Sequence, residues 1–141
     1  MRRVVLDTCV IVSALRSATG GSNAILKCVA NLQIVPLVTP ALFLEYEDVL
    51  KRPDQMQAHG LRWSEIDKFL SALASAAEPV SIRFQWRPQL KDAGDEMVLE
   101  AAVNGRAKAL ITHNVKDFAI PALKFGLRIL RPGAFLEEMK K

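Results

Sequence analysis

Apolar residues along the chain fall in short runs separated by polar turns. Residues 3–7 are largely β-branched and nearly continuous, the pattern of a central parallel strand covered on both faces. Ile34 to Val38 predicts a second strand, and Val80 to Phe84, Ala107 to Thr112 and Leu127 to Leu130 predict three shorter ones. Helices are expected between them. Val10 to Leu15 reads as a short one, followed by a loop over 17–21. Ser22 serves as N-cap for a helix through about Asn31. Pro40 opens a helix through about Lys51, where proline is tolerated, and Arg52-Pro53 breaks it. Ser64 caps a helix to Ala77. Residues 85–94 form a loop, Asp95 to Asn104 a helix stopped by Gly105, and Pro132 starts the last helix. Strands alternating with helices imply an α/β fold, a three-layer α/β/α sandwich with a mostly parallel central sheet.

Size and composition narrow the picture. The 141 residues contain no repeat or linker and read as a single domain over 1–141, large enough for a proper core. No apolar run approaches the roughly 20 residues of a membrane span, so no membrane partner is expected. Arg2 and Arg3 before an apolar run resemble the start of a signal peptide. Asp7 interrupts that run early and no clean cleavage site follows, so the segment reads as mature protein. Cys9 and Cys28 do not make a disulfide framework and fit reduced thiols in a cytoplasmic protein. The formal charge of +4 comes from dispersed Lys and Arg, which only weakly favours a polyanionic partner.

Acidic residues supply the candidate chemistry. Asp7 sits inside VVLDTCVIV, where a bare carboxylate is costly to bury. Helix capping explains its type but not its place directly after a strand. Glu45 lies in LFLEYEDVL. At about 100° per residue, Leu42, Tyr46, Val49 and Leu50 make one apolar stripe, and Glu45 falls at its edge. Asp92, Asp95 and Glu96 precede a helical run, where acids also suit the helix dipole and a capping box. Asn114 and Asp117 follow a strand, where turn chemistry alone accounts for them. The set outweighs its members. In a parallel sheet, ligands collect beyond the carboxyl ends of the strands. Several ionised carboxylates share a pocket there only if cations neutralise them. Oxygen donors without a His or Cys cluster suit Mg²⁺ or Mn²⁺, one or two ions, the arrangement that serves hydrolysis at phosphorus. His59 and His113 lack ligand spacing, and Gly20-Gly21 makes no phosphate loop.

LDTCVIVSAL, LEYEDVL, DAGDEMVLEAAV, LITHNVKDF and the closing FGLRILRPGAFL resemble, in order, the PIN-domain family over nearly the whole chain. They are particularly similar to the small VapC-like toxins of toxin–antitoxin pairs. The resemblance implies a PIN-like fold and a metal-dependent endoribonuclease. Asp7, Glu45 and Asp95 then match the first three acids, and Asp117 serves as the fourth, with Asn114 as a neutral ligand or water holder. Asp92 matches the leading Asp of an RDPDD-like stretch, with Lys91 in the Arg place, and Glu96 adds a supporting acid. Thr8 and Thr112 are hydroxyls that orient carboxylates or water. Cys9 stands where the family usually has Asn, and Ala93-Gly94 replaces Pro-Asp. An RNA substrate steered by Arg2, Lys91, Lys116 and Arg128, a homodimer and a cognate antitoxin are also implied. The alternative is a PIN-fold RNA- or protein-binding module with weak or no nuclease activity. A receiver-like phosphotransfer domain fits less well, because it has no role for Glu45.

Overall fold

The computed structural model describes residues 2–85, 90 and 92–140. Five parallel strands form one sheet in the order β3-β2-β1-β4-β5, flanked by helices. β1 (Arg2–Leu6) is central, with Val4, Val5 and Leu6 fully buried. It pairs on one side with β2 (Ile34–Val38) and on the other with β4 (Ala109–Ile111). β3 (Glu78–Pro79) and β5 (Ile129–Leu130) are short edges. This is the expected α/β/α sandwich.

The helices are α1 (Thr8–Arg16), α2 (Gly21–Ala30), α3 (Pro40–Leu50), α4 (Pro53–His59), α5 (Trp63–Ala76), α6 (Ala93–Asn104), α7 (Ala119–Phe125) and α8 (Pro132–Met139). Pro40 takes the first turn of α3, and Thr39 caps it by accepting the Leu42 N–H at 3.0 Å. On α5 the stripe Ile66, Leu70 and Leu73 is buried and Leu61 and Phe69 pack against it, so this face belongs to the core. Among the described residues no helix is long and apolar enough to cross a membrane.

Several local expectations change. The strand predicted over Val80 to Phe84 is instead the two residues Glu78–Pro79. Val80 still donates to Val38 O, but the next amides do not reach β2. Asn104 Oδ1 takes the Arg83 and Phe84 N–H groups, both at 2.8 Å, and so a side-chain amide replaces the ladder. Ser22 lies inside α2 rather than capping it, and its buried Oγ pairs with His113 Nε2 at 2.8 Å. Ser64 lies inside α5; the N-cap position is Arg62, whose N–H is taken by Glu65 Oε1 at 3.0 Å. Pro53 both ends α3 and opens α4, because proline suits a first helical turn. α7 was also unexpected. It holds Pro121 and leaves Ile120 and Leu123 80% and 87% exposed, so no amphipathic period announces it. Lys91 lies outside the described residues.

Candidate active site

Asp7 leaves the end of β1. Its N–H donates to Ile111 O at 2.9 Å, which extends the parallel ladder by one residue. The residue then takes the N-cap position of α1 in extended backbone, but its side chain makes no capping bond. Oδ2 instead accepts the Thr112 hydroxyl at 2.6 Å and the Cys9 thiol at 3.2 Å. Thr112 Oγ1 in turn accepts the Asn114 N–H at 3.0 Å. Asp7 is only 4% exposed, and these donors offset much of the cost of burying its charge. The buried Tyr46 hydroxyl donates to Leu6 O, pinning α3 to the strand that delivers Asp7.

Cys9 is therefore a neutral donor. Burial and the neighbouring Asp7 charge push its thiol up to about 12. A thiol in that state supplies the hydrogen bond and carries no competing charge.

Glu45 stands half-buried on α3 between the buried Leu42 and Tyr46. It reaches the start of α6, where Asp92 Oδ1 caps the helix by accepting the Asp95 N–H at 3.0 Å. A Cβ at Gly94 would meet Glu45 Oε1 at 2.9 Å and Asp92 Oδ1 at 3.0 Å. Gly94 thus permits both carboxylates to close over the helix start. A side chain there displaces one of them.

A cleft of about 280 Å³ collects Asp7, Thr8, Cys9, Glu45, Asp92, Asp95 and Asn114 at the carboxyl edge of the sheet. Burial, then the charges of Asp7, Asp92, Asp117 and Glu45, push the Asp95 carboxyl up to about 6. Carboxylates from four separate segments therefore act on one group. Asn114 lines the cleft. Asp117, on a 3₁₀ turn over Val115–Phe118, is exposed outside the lining, close enough for its charge to act on Asp95.

Other candidate residues serve elsewhere. Glu96 is buried outside the cleft lining and accepts the Leu90 N–H at 2.6 Å, tying down the chain before α6. His59 accepts the Leu61 N–H at 3.0 Å and donates to Leu50 O at 2.9 Å, which joins α3 to α4. Arg128 pairs with Glu138, and Arg2 lies 5.8 Å from the Phe135 ring centre. Lys116 is exposed on the turn beside Asp117. The Ser22–His113 pair and Gln55 in the cleft wall were not singled out from the sequence. Tyr46 reads there as ordinary core, and Gly94 as the loss of an acid.

Among the described residues no three of His, Cys, Asp or Glu are grouped closely enough to hold a metal ion as they stand. The donors are nonetheless hard oxygens, and burial, together with the charges of the neighbouring carboxylates, raises the Asp95 carboxyl. A divalent cation that prefers oxygen fits that chemistry.

Fold and cleft together define an α/β protein with carboxylates gathered at the carboxyl edge of a parallel sheet. A family model described as PIN domain matches residues 3–116, and the chain belongs to the PIN-domain family. No curated protein matches the chain.

Proposed function

We propose that this protein is a metal-dependent endoribonuclease that hydrolyses RNA phosphodiester bonds, with Asp7, Glu45, Asp95 and Asp117 holding one or two Mg²⁺ or Mn²⁺ ions. The observation that supports the reading is the gathering of carboxylates from β1, α3 and the start of α6 in one cleft, with the charge of Asp117, on the turn after β4, acting on Asp95 from outside its lining. Such an ion, when bound, lowers the pKa of a water and offsets charge building on the phosphate. Thr112 and Cys9 hold Asp7 Oδ2 so that the carboxylate faces the cleft in one orientation. Asp92 fixes the first turn of α6 and with it the Asp95 backbone. The Asn114 amide, at the rim, orients water or phosphate without adding charge. Replacing Asp7 or Asp95 by Asn is expected to abolish Mn²⁺-dependent cleavage of single-stranded RNA with the circular-dichroism spectrum unchanged. Full activity in both variants rejects the assignment. The same cleavage assay on DNA of equal sequence tests the choice of RNA.

Among the described residues no three of His, Cys, Asp or Glu are grouped to hold a metal ion, which favours a second reading, a binding module with little catalysis. Calorimetric titration separates the two. Binding of Mn²⁺ that is lost in Asp7→Asn supports the nuclease, and no heat at millimolar metal supports the module.

The role as toxin of a toxin–antitoxin pair, acting in the cytoplasm as a homodimer, rests on the likeness to VapC-like proteins. Exposed Ile120 and Leu123 on α7 supply apolar surface for such contacts. Growth arrest on expression, relieved by the product of an adjacent gene, is the expected outcome. Sedimentation reads the oligomeric state.

A further inference from the structure

A second cavity lies at the other end of α6. Its volume is about 660 Å³, and Arg3, Glu78, Arg83, Phe84, Asn104 and Arg106 contribute to its walls. α6 starts at the acidic cleft and runs 12 residues to this cavity, so about 18 Å of helix separates the two. Arg3 is engaged by Glu78, with Nε–Oε1 at 3.1 Å and Nη2–Oε2 at 2.5 Å. Arg83 and Arg106 have no carboxylate partner among the described residues. Beside them the Phe84 ring is 57% exposed.

The walls are built rather than fortuitous. Asn104 accepts from Arg83 N and Phe84 N and donates to Phe84 O at 3.0 Å and Glu100 O at 2.9 Å, so one side chain locks the segment carrying Arg83 and Phe84 against α6. Arg106 holds a left-handed backbone, φ 52°. The glycine beside it is committed to packing: a Cβ at Gly105 would meet Ala101 O at 2.8 Å, and Leu37 Cδ1 and Val80 Cγ2 at 3.0 Å. Leu32 shares that backbone on an exposed turn, so the strain by itself marks no function. What distinguishes Arg106 is a guanidinium with no carboxylate partner on the wall of a cavity.

We propose that this cavity binds a nucleotide, with Arg83 and Arg106 on the phosphate and the base against Phe84. Guanidinium forks match phosphate oxygens, an exposed ring offers a face for stacking, and the volume is that of a small-molecule pocket. The source of the nucleotide is either a free mononucleotide or one residue of a bound RNA strand. The site stands apart from the acidic cleft, and binding measured in EDTA tests it without reference to hydrolysis.

The test is titration of the whole protein in EDTA and low salt with AMP, inorganic phosphate and a labelled oligoribonucleotide. Arg83→Gln and Arg106→Gly are each expected to weaken binding about tenfold or more, the scale of one lost charged hydrogen bond. Arg106→Gly also relieves the left-handed strain, so its melting temperature is expected to hold or rise while binding falls, an outcome that structural damage does not produce. Phe84→Ala is expected to weaken AMP and leave inorganic phosphate unchanged. AMP binding with this pattern assigns a free nucleotide, and the same pattern with the oligoribonucleotide alone assigns an RNA strand. No binding of either probe at millimolar concentration, or binding indifferent to both arginine variants, overturns the proposal.

Discussion

Thr112 is the residue on which Asp7 depends most directly. Its hydroxyl donates to the buried carboxylate at 2.6 Å and accepts the Asn114 N–H. Thr112→Val leaves both groups short of a partner and is expected to cost about 1–3 kcal/mol, read by urea denaturation, with loss of cleavage. Gly94→Ala separates site from fold. The new methyl meets the far end of Glu45, a flexible side chain that can swing away. The expected result is a melting temperature within a few degrees of the parent and at least severalfold weaker Mn²⁺ binding by calorimetry. The Asp95 carboxyl, raised from 3.8 to about 6, sets a pH dependence. Between those values the folded chain keeps a proton that the unfolded chain has lost. Metal-free stability therefore falls as pH rises from about 4 to about 6 and stays lower above that. Asp95 is partly exposed, so screening reduces the loss to about 1 kcal/mol. Asp95→Asn is expected to flatten this decline in denaturation curves taken at either end of the window.

At the scale of elements, α6 links the two ends of the molecule. Asp92 caps its start at the acidic cleft, and Asn104 clamps the 83–84 backbone at its end. Asn104→Ala is expected to raise hydrogen exchange at Arg83 and Phe84 while leaving β1 and β4 protected, because those strands are held by their own ladders. The strand expected over 80–84 fails for the same reason. Alternating side chains signal extended backbone, but they do not say whether a neighbouring strand or a side-chain amide takes the hydrogen bonds. β1 was legible because both its faces are covered, which demands an unbroken apolar run. α7 was not, because its exposed Ile120 and Leu123 break the rule that apolar residues face inward.

For the whole molecule, divalent metal is expected to act as a stabilising ligand. Anions crowded around Asp95 repel one another in its absence, so Mn²⁺ at one hundred times its dissociation constant should raise stability by about 2.7 kcal/mol at pH 7.5. The gain should shrink as pH falls below about 6 and protons compete for the same oxygens. A thermal shift series with and without EDTA at pH 5 and 7.5 reads both effects. The cleft combines a thiol donor at Cys9, a neutral Asn114 at the rim, and a glycine where two carboxylates crowd.

The amino-acid sequence alone determined the sandwich, the central place of β1 and the helix carrying Glu45, because burial periodicity is a local property of the chain. Only the tertiary structure decided that Thr112 is the hydroxyl that meets Asp7, that Asn114 rather than Asp117 lines the cleft, that Glu96 lies outside its lining, and that Arg83 and Arg106 line one cavity at the far end of α6. Those contacts join residues distant in sequence, such as the 105 positions between Asp7 and Thr112. Hydrogen bonds of that span depend on how the strands stack beside one another, which no local pattern encodes.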